Sequence, residues 1–332
     1  MKNKYFCFLL LFFSASLARG QQDPMFTKYM FNSLIFNPGY AGSKDHLSLA
    51  LLHRSQWQEL EGAPVTQTLT AHTPLRNQRV GVGLSLANDI IGPTRSTGAN
   101  LAYSYRIPFK KFKICFGLQA GFDSYRSDFS ELVLDMSDDP SFINASKVLP
   151  NVGAGLYIYS KHFYFGASSP RLIEHDLQQD VEMGIYARQV RHYYLTMGAA
   201  IPLKGDAIIF KPSVLLKNTG LDRRVFPGGQ YVNYGAPDEF DFDFSLLFQE
   251  TLWIGASFRS AFSAPALSLN PKSSYDSADF WASFLFKNGL RIGAAYDYTL
   301  SDLSTVTNGA FEVMLGYEFN FREKRVVTPR YF

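Results

Sequence analysis

The run FEVMLGYEFNF, residues 311–321, alternates two kinds of side chain. Phe311, Val313, Leu315, Tyr317, Phe319 and Phe321 are large and apolar. Glu312, Met314, Gly316, Glu318 and Asn320 are polar, small or flexible. Successive side chains of a β-strand point to opposite faces, so this run presents one greasy face and one wet one. It is nearly twice the length of a usual strand. A strand of that kind needs an apolar surrounding on one side and a polar one on the other.

The same alternation recurs along the chain. It is clean at Ile114–Asp123, Phe240–Gln249 and Leu290–Tyr298, and less regular at Val80–Ala87, Leu101–Ile107, Leu252–Arg259 and Phe280–Lys287. Collecting every such run predicts strands over 47–57, 65–73, 80–87, 98–107, 113–123, 150–159, 162–168, 191–201, 207–217, 240–248, 251–259, 278–286, 290–299 and 310–321. That is about fourteen strands, an even number as in bacterial outer-membrane barrels. Pro212 sits awkwardly within the ninth, since proline cannot donate to a ladder. The connections alternate between short and long. The short ones are 74–79, 108–112, 160–161, 202–206, 249–250 and 287–289, and the long ones include 124–149, 169–190, 218–239 and 260–277. Membrane barrels carry short turns on one rim and long loops on the other. A soluble sandwich or propeller, the competing architecture, has no reason to sort its loops in this way. The expected fold is an all-β transmembrane antiparallel barrel, with the apolar face of 311–321 toward lipid and its polar face toward the lumen. Tyr296 and Tyr298 suit an interfacial aromatic girdle.

Composition agrees. Aromatic residues make up 16% of the chain, yet the mean hydropathy is −0.08. Alternating strands give both values at once. After Gly20 there is no long uninterrupted apolar run, so transmembrane helices are not expected. Residues 1–20 read as a signal peptide: Lys2 and Lys4 lead an apolar stretch from Phe6 to Phe13, and Ala18-Arg19-Gly20 offers a cleavage site. That segment holds three of the 32 basic side chains and none of the 29 acidic ones, so the remainder carries 29 of each. Net charge therefore gives no argument for a nucleic-acid partner. Cys115 is the one cysteine beyond the signal segment, which excludes a disulfide-stapled fold.

Residues 21–46 do not read as strand. Met25–Leu34 predicts a short helix after Pro24, with Phe26, Tyr29, Met30 and Ser33 near one face, stopped at Asn37-Pro38-Gly39. The segment either enters the lumen as a plug or lies across the periplasmic base of the barrel. The barrel proper is expected over 47–321, with a periplasmic tail over 322–332.

The stretches DPMFTKYMFNSLIFNPGYAGS (23–43) and HRSQWQELEGAPVTQTLTAHTPL (53–75) carry many residues in fixed order: Phe26, Tyr29, Met30, Asn37-Pro38, Tyr40-Ala41-Gly42, Arg54, Gln56-Trp57, Gly62-Ala63-Pro64 and Thr66-Gln67. In these the chain resembles the opening of the PorP/SprF family of type IX secretion membrane proteins. Beyond residue 75 the resemblance is one of architecture and length. It implies an outer-membrane barrel of the type IX secretion and gliding apparatus. Its implied partners are a secreted, adhesin-like surface protein, bound through its C-terminal domain, or the periplasmic machinery. It also implies Phe26, Tyr29, Met30, Asn37, Pro38, Tyr40, Gly42, Arg54, Gln56, Trp57 and Pro64 as partner-binding or structural positions.

No catalytic pattern stands out. There is no GxSxG elbow and no HExxH, and Gly81-Val82-Gly83 lies on a strand without a third glycine. Glu174-His175-Asp176, and Asp135 with Asp138 and Asp139, read as solvated loop residues, so no metal or cofactor is expected. Asp241, Asp243, Arg259, Arg291, Asp297, Glu312 and Glu318 are predicted to face the lumen. Both signs fall on neighbouring strands, which fits cross-strand pairing; the alternative is a solute-selecting pore lining. A passive channel for small or hydrophobic solutes is accordingly the other functional expectation.

Overall fold

A strand in lipid must find partners for its N–H and C=O groups along both edges, because hydrocarbon offers none. The computed structural model describes residues 28–75, 78–130, 144–180, 185–219, 238–261 and 275–319. It meets that demand by closing one antiparallel sheet on itself. In chain order the strands are β1 (Leu47–Ser55), β2 (Val65–Pro74), β3 (Val80–Ile91), β4 (Thr94–Pro108), β5 (Lys113–Ser127), β6 (Ala145–Tyr159), β7 (Phe163–Ser169), β8 (His175–Asp180), β9 (Ile185–Gln189), β10 (His192–Ala199), β11 (Ile201–Pro202), β12 (Ile208–Thr219), β13 (Glu239–Phe248), β14 (Leu252–Ala261), β15 (Tyr275–Leu285), β16 (Leu290–Thr299) and β17 (Ala310–Phe319). Closure is made by β1 and β17, in register from Leu47 opposite Phe319 to Ser55 opposite Phe311. β10 and β11 are two pieces of one wall strand, so the barrel has fourteen. β8 and β9 form a separate hairpin.

The alternation sorts lipid from lumen. On β17, Phe311 and Leu315 are exposed on the outer face, whereas Glu312 and Met314 are buried. On β5, Leu118 is 64% exposed and its neighbours Gly117 and Gln119 face inward. Tyr296 and Tyr298 are exposed near the long-loop end of β16.

Each of the fourteen expected spans overlaps a wall strand, and four details differ. First, β3 and β4 run on to a tight turn at Gly92-Pro93 where a longer loop is expected, and β4, β5 and β6 each reach 15 residues. They raise one side of the wall above the rest. Most outward residues there, Arg95, Thr97, Ser124, Arg126 and Ser146, are polar, as strand ends that stand in water rather than lipid would be, with Val148 the apolar exception. Second, the 169–190 connection contains the β8–β9 hairpin. His175 and Asp176 are therefore strand residues, and His175 Nε2 bonds the Pro150 carbonyl. Third, Pro212 is accommodated inside β12 because the neighbouring ladder is interrupted opposite it. Pairing to β10 stops at Ser213–Gly198 and resumes to β11 at Phe210–Ile201. Fourth, Lys28–Leu34 is not one helix; residues 25–27 lie outside the described residues. A 3₁₀ turn at Tyr29–Phe31, one α-turn at Ser33–Phe36 and a 3₁₀ turn at Pro38–Tyr40 follow one another instead. Residues 131–143, including Asp135, Asp138 and Asp139, and 320–332 also lie outside the described residues.

The sorting has a measurable consequence. Leu118→Arg, at mid-height on the lipid face of β5, is expected to destabilise the barrel by roughly 2–4 kcal/mol, and Ser124→Arg, above the bilayer on the same strand, by no more than about 1 kcal/mol. Urea unfolding from phospholipid vesicles reads the difference, and equal losses would mean that β5 does not cross lipid at Leu118.

Candidate functional site

Residues 28–46 lie inside the barrel and touch the wall on every side. The Tyr29 hydroxyl donates to Ser213 Oγ on β12 at 2.8 Å. Asn32 Nδ2 donates to Thr68 Oγ1 on β2 at 2.7 Å. Asn37 Nδ2 donates to the Leu156 carbonyl on β6, while its Oδ1 caps the next turn by accepting from the Gly39 N–H. Ser168 Oγ and Ser104 Oγ donate to the Phe36 and Ala41 carbonyls, at 2.8 and 2.7 Å. These bonds supply the polar partners that so short a run of turns cannot give itself. Aromatic rings fill the remaining space. Phe31 packs on Trp253 and Trp281, Phe36 on Tyr194, and Tyr40 edge-on to Tyr157 and His72.

Glycines let the two backbones meet. A Cβ on Gly117 of β5 would run into the backbone of Pro38 and Gly39. Gly42 adopts φ +67°, and a Cβ there would meet the backbone of Gly81 and Pro74.

The segment begins at a charge cluster in the half of the lumen nearer the long loops. Lys28 is fully buried. Its ammonium lies 3.6 Å from Asp243 and 3.9 Å from Asp279, donates to Ser257 Oγ, and sits 5.5 Å from the centre of the Trp281 ring. Its backbone N–H donates to Glu312 Oε1 at 3.2 Å. Glu312 also lies 3.6 Å from Arg54, which pairs with Asp297 at 2.6 Å. Beside them Arg259 holds Asp241 through two hydrogen bonds, of 2.7 and 2.9 Å, between directly opposed residues of β13 and β14. At the other end Glu318 meets Lys44 at 2.9 Å, His46 at 3.5 Å and Arg291 at 3.7 Å.

The seven charges expected in the lumen thus fall into two groups. Asp241, Asp243, Arg259, Asp297 and Glu312 join the cluster around Lys28, whereas Arg291 and Glu318 stand at the short-turn end. The motif residues also divide. Tyr29, Met30, Asn37, Pro38, Tyr40 and Gly42 belong to the inserted segment, and Arg54 to the wall. Gln56, Trp57 and Pro64 form the turn after β1, where the Gln56 N–H bonds the Pro64 carbonyl. Phe26 lies outside the described residues. Lys28 and Asp279 were not singled out by the sequence. Asp279 belongs to the inward set of β15, one residue before the alternating run that begins at Phe280, and that placement was the available signal. Nothing local marks Lys28. Among the described residues no three or more His, Cys, Asp or Glu side chains gather in a way that would hold a metal ion.

A closed wall with a greasy exterior, one long-loop rim and a lumen filled by the chain's own N-terminal segment defines an outer-membrane β-barrel with an internal plug. Comparison with known proteins agrees. The structure is similar to a TodX ΔS2S3 mutant, a monoaromatic hydrocarbon channel, at 13% identity over 87% of this chain and 94% of that one, with a TM-score of 0.51. It also matches the outer membrane protein Omp33 of Acinetobacter baumannii, at 9% identity over 83% of this chain and 99% of that one, with a TM-score of 0.42. At 13% identity the likeness to the hydrocarbon channel speaks for the fold alone. No individually curated protein matches the chain. The family model for the type IX secretion system membrane protein PorP/SprF matches residues 18–317. The chain belongs to the PorP/SprF family.

Removing one partner of a buried ion cluster strands the others without compensation, at a cost of about 3–5 kcal/mol. Lys28→Met is therefore expected to lower the unfolding midpoint and to expose residues 28–46 to protease. Adding Asp279→Asn should recover part of the loss; a double variant no more stable than Lys28→Met would break the assignment. Gly117→Leu is expected to release the segment while leaving the wall assembled, read as faster cleavage near Pro38 with an unchanged far-UV spectrum.

Proposed function

We propose that this barrel is a non-enzymatic docking component of the type IX secretion and gliding apparatus. It binds a secreted, adhesin-like surface protein through that protein's C-terminal domain, or the periplasmic machinery, and supports export or surface attachment. Family membership carries the apparatus. The observation that favours docking over conduction is the lumen, occupied by residues 28–46 and tied to the wall at both ends by ion pairs. A barrel filled in this way offers its rims as working surfaces. The raised wall of β4–β6 with the β8–β9 hairpin beside it suits an extracellular partner, because binding residues gather on loops set by a rigid scaffold. The short-turn rim suits a periplasmic one.

A second reading, a channel for small or hydrophobic solutes, draws on the hydrocarbon channel among the proteins of similar fold. Gentle solubilisation of the tagged protein from its native outer membrane separates the two. A large secreted protein that co-purifies, and that loses surface display when this gene is deleted, is the expected result. Periplasmic components in its place would assign the barrel to the machinery. Unchanged display of every type IX cargo in the deletion strain, together with steady conductance of the pure protein in planar bilayers, would overturn docking and favour the channel.

A further inference from the structure

The inserted segment does not fill the lumen completely. Between it and wall residues of β1, β2, β6, β7 and β12–β17 lies a cavity of about 300 Å³, whose lining includes Lys44, Asp45, Glu250 and Glu318 toward the short-turn end. That volume is at the small end of the range that ligand pockets occupy. Phe31, Leu247 and Leu285 give it apolar walls. Arg291 lines it with positive charge, and the Lys211 amine lies beside it. The Arg291 guanidinium lies 5.8 Å from the centre of the Phe31 ring and 5.9 Å from that of Trp253, and Lys211 Nζ lies 3.5 Å from the centre of the Trp253 ring.

Two further donors line the same cavity. Trp253 is 9% exposed and Ser283 is 2% exposed. Among the described residues the Trp253 indole N–H and the Ser283 hydroxyl have no hydrogen-bond partner. Buried donors are ordinarily satisfied, and these two face the same cavity as the Arg291 guanidinium and the Lys211 amine. An acceptor with two oxygens and one negative charge answers all four groups. Asp45, Glu250 and Glu318 also line the cavity and belong to its short-turn end, where they disfavour a second negative charge. Glu318 itself is 3.7 Å from Arg291, longer than a charge-assisted hydrogen bond.

We propose that this cavity is a binding site for a small monocarboxylic acid with an apolar or aromatic body. The carboxylate lies among Arg291, Lys211, Trp253 and Ser283, and the body packs against Phe31, Leu247 and Leu285. The site lies toward the short-turn end of the lumen and does not depend on which protein partner the rims engage.

Calorimetric titration of the purified full-length protein in detergent tests it, with phenylacetate and octanoate as acids and phenylacetamide as the uncharged isostere. Saturable binding of at least one acid is expected, with the amide weaker than phenylacetate by about tenfold or more, the worth of hydrogen bonds to a charged group. Trp253→Phe keeps the ring and removes the N–H, and should weaken acid binding severalfold. Arg291→Gln should erase the preference for acid over amide. Should Arg291→Gln fail to fold, as thermal melting would show, Ser283→Ala replaces it and should also weaken the acid. Absence of saturable binding, equal binding of acid and amide, or variants that bind like the parent would each overturn the proposal.

Discussion

Everything in this structure follows from the inability of hydrocarbon to accept or donate a hydrogen bond. A strand in lipid has no tolerable free edge, so the sheet must close, and closure fixes which face is greasy. The interior then becomes a second problem. About eight strands give a lumen that wall side chains can fill by themselves. This wall has fourteen, and its inward residues are in large part small or polar, such as Ser104, Thr66, Thr68, Thr70, Ser213 and Ser245. They cannot meet across the middle. The chain fills that space with its own residues 28–46, whose rings Tyr29, Phe36 and Tyr40 pack with wall residues into the buried apolar clusters of the lumen. The apolar core of this protein is thus built around its least regular segment.

The charge cluster at Lys28 is best understood as a placement device. Buried ion pairs repay their desolvation poorly, and a hydrophobic replacement of similar shape is often as stable. Their value lies in the cost of every wrong arrangement. Lys28 reaches Asp243 on β13 and Asp279 on β15 with its side chain and Glu312 on β17 with its backbone. A slip of one residue along the lumen would leave those carboxylates uncompensated. The Asn37 cap against β6 and the Lys44–Glu318 pair fix the middle and the far end. Short turns without helical periodicity therefore hold one position inside a smooth-walled tube.

That division explains what could be read from the chain and what could not. The wall was legible because lipid imposes period two wherever a strand crosses it. Phe116, Leu118 and Phe122 announce β5, and Phe242 and Phe244 announce β13. The signal ends where the lipid ends. Above Leu101 the outward residues of β4 are Ala99, Thr97 and Arg95, so the strand continues in water without an apolar face to mark it, and the tight turn at Gly92-Pro93 is hidden. The inserted segment was legible only as something other than strand. Its apolar residues contact a wall that surrounds them, so no single helical face is selected, and the spacing of Phe26, Tyr29, Met30 and Ser33 misled toward one continuous helix. The partners of Lys28 lie more than two hundred residues away in the chain. The family motif marked the segment without saying that it divides among plug, wall and rim.

The lumen is also electrically polarised. Asp241, Asp243, Asp279, Asp297 and Glu312 gather in the half nearer the long loops, around Lys28, Arg54 and Arg259. Lys44, Arg106, Lys211 and Arg291 gather in the half nearer the short turns, with Asp45, Glu250 and Glu318. Carboxylates outnumber cations in the first group, and the balance is more positive in the second. In a narrow, low-dielectric tube such a separation focuses the field along the axis. It draws the cationic Lys28 end of the inserted segment toward the long-loop rim and leaves the short-turn end more attractive to anions. The direction in which the segment threads the barrel and the sign of the ligand that its cavity suits thus have one electrostatic cause.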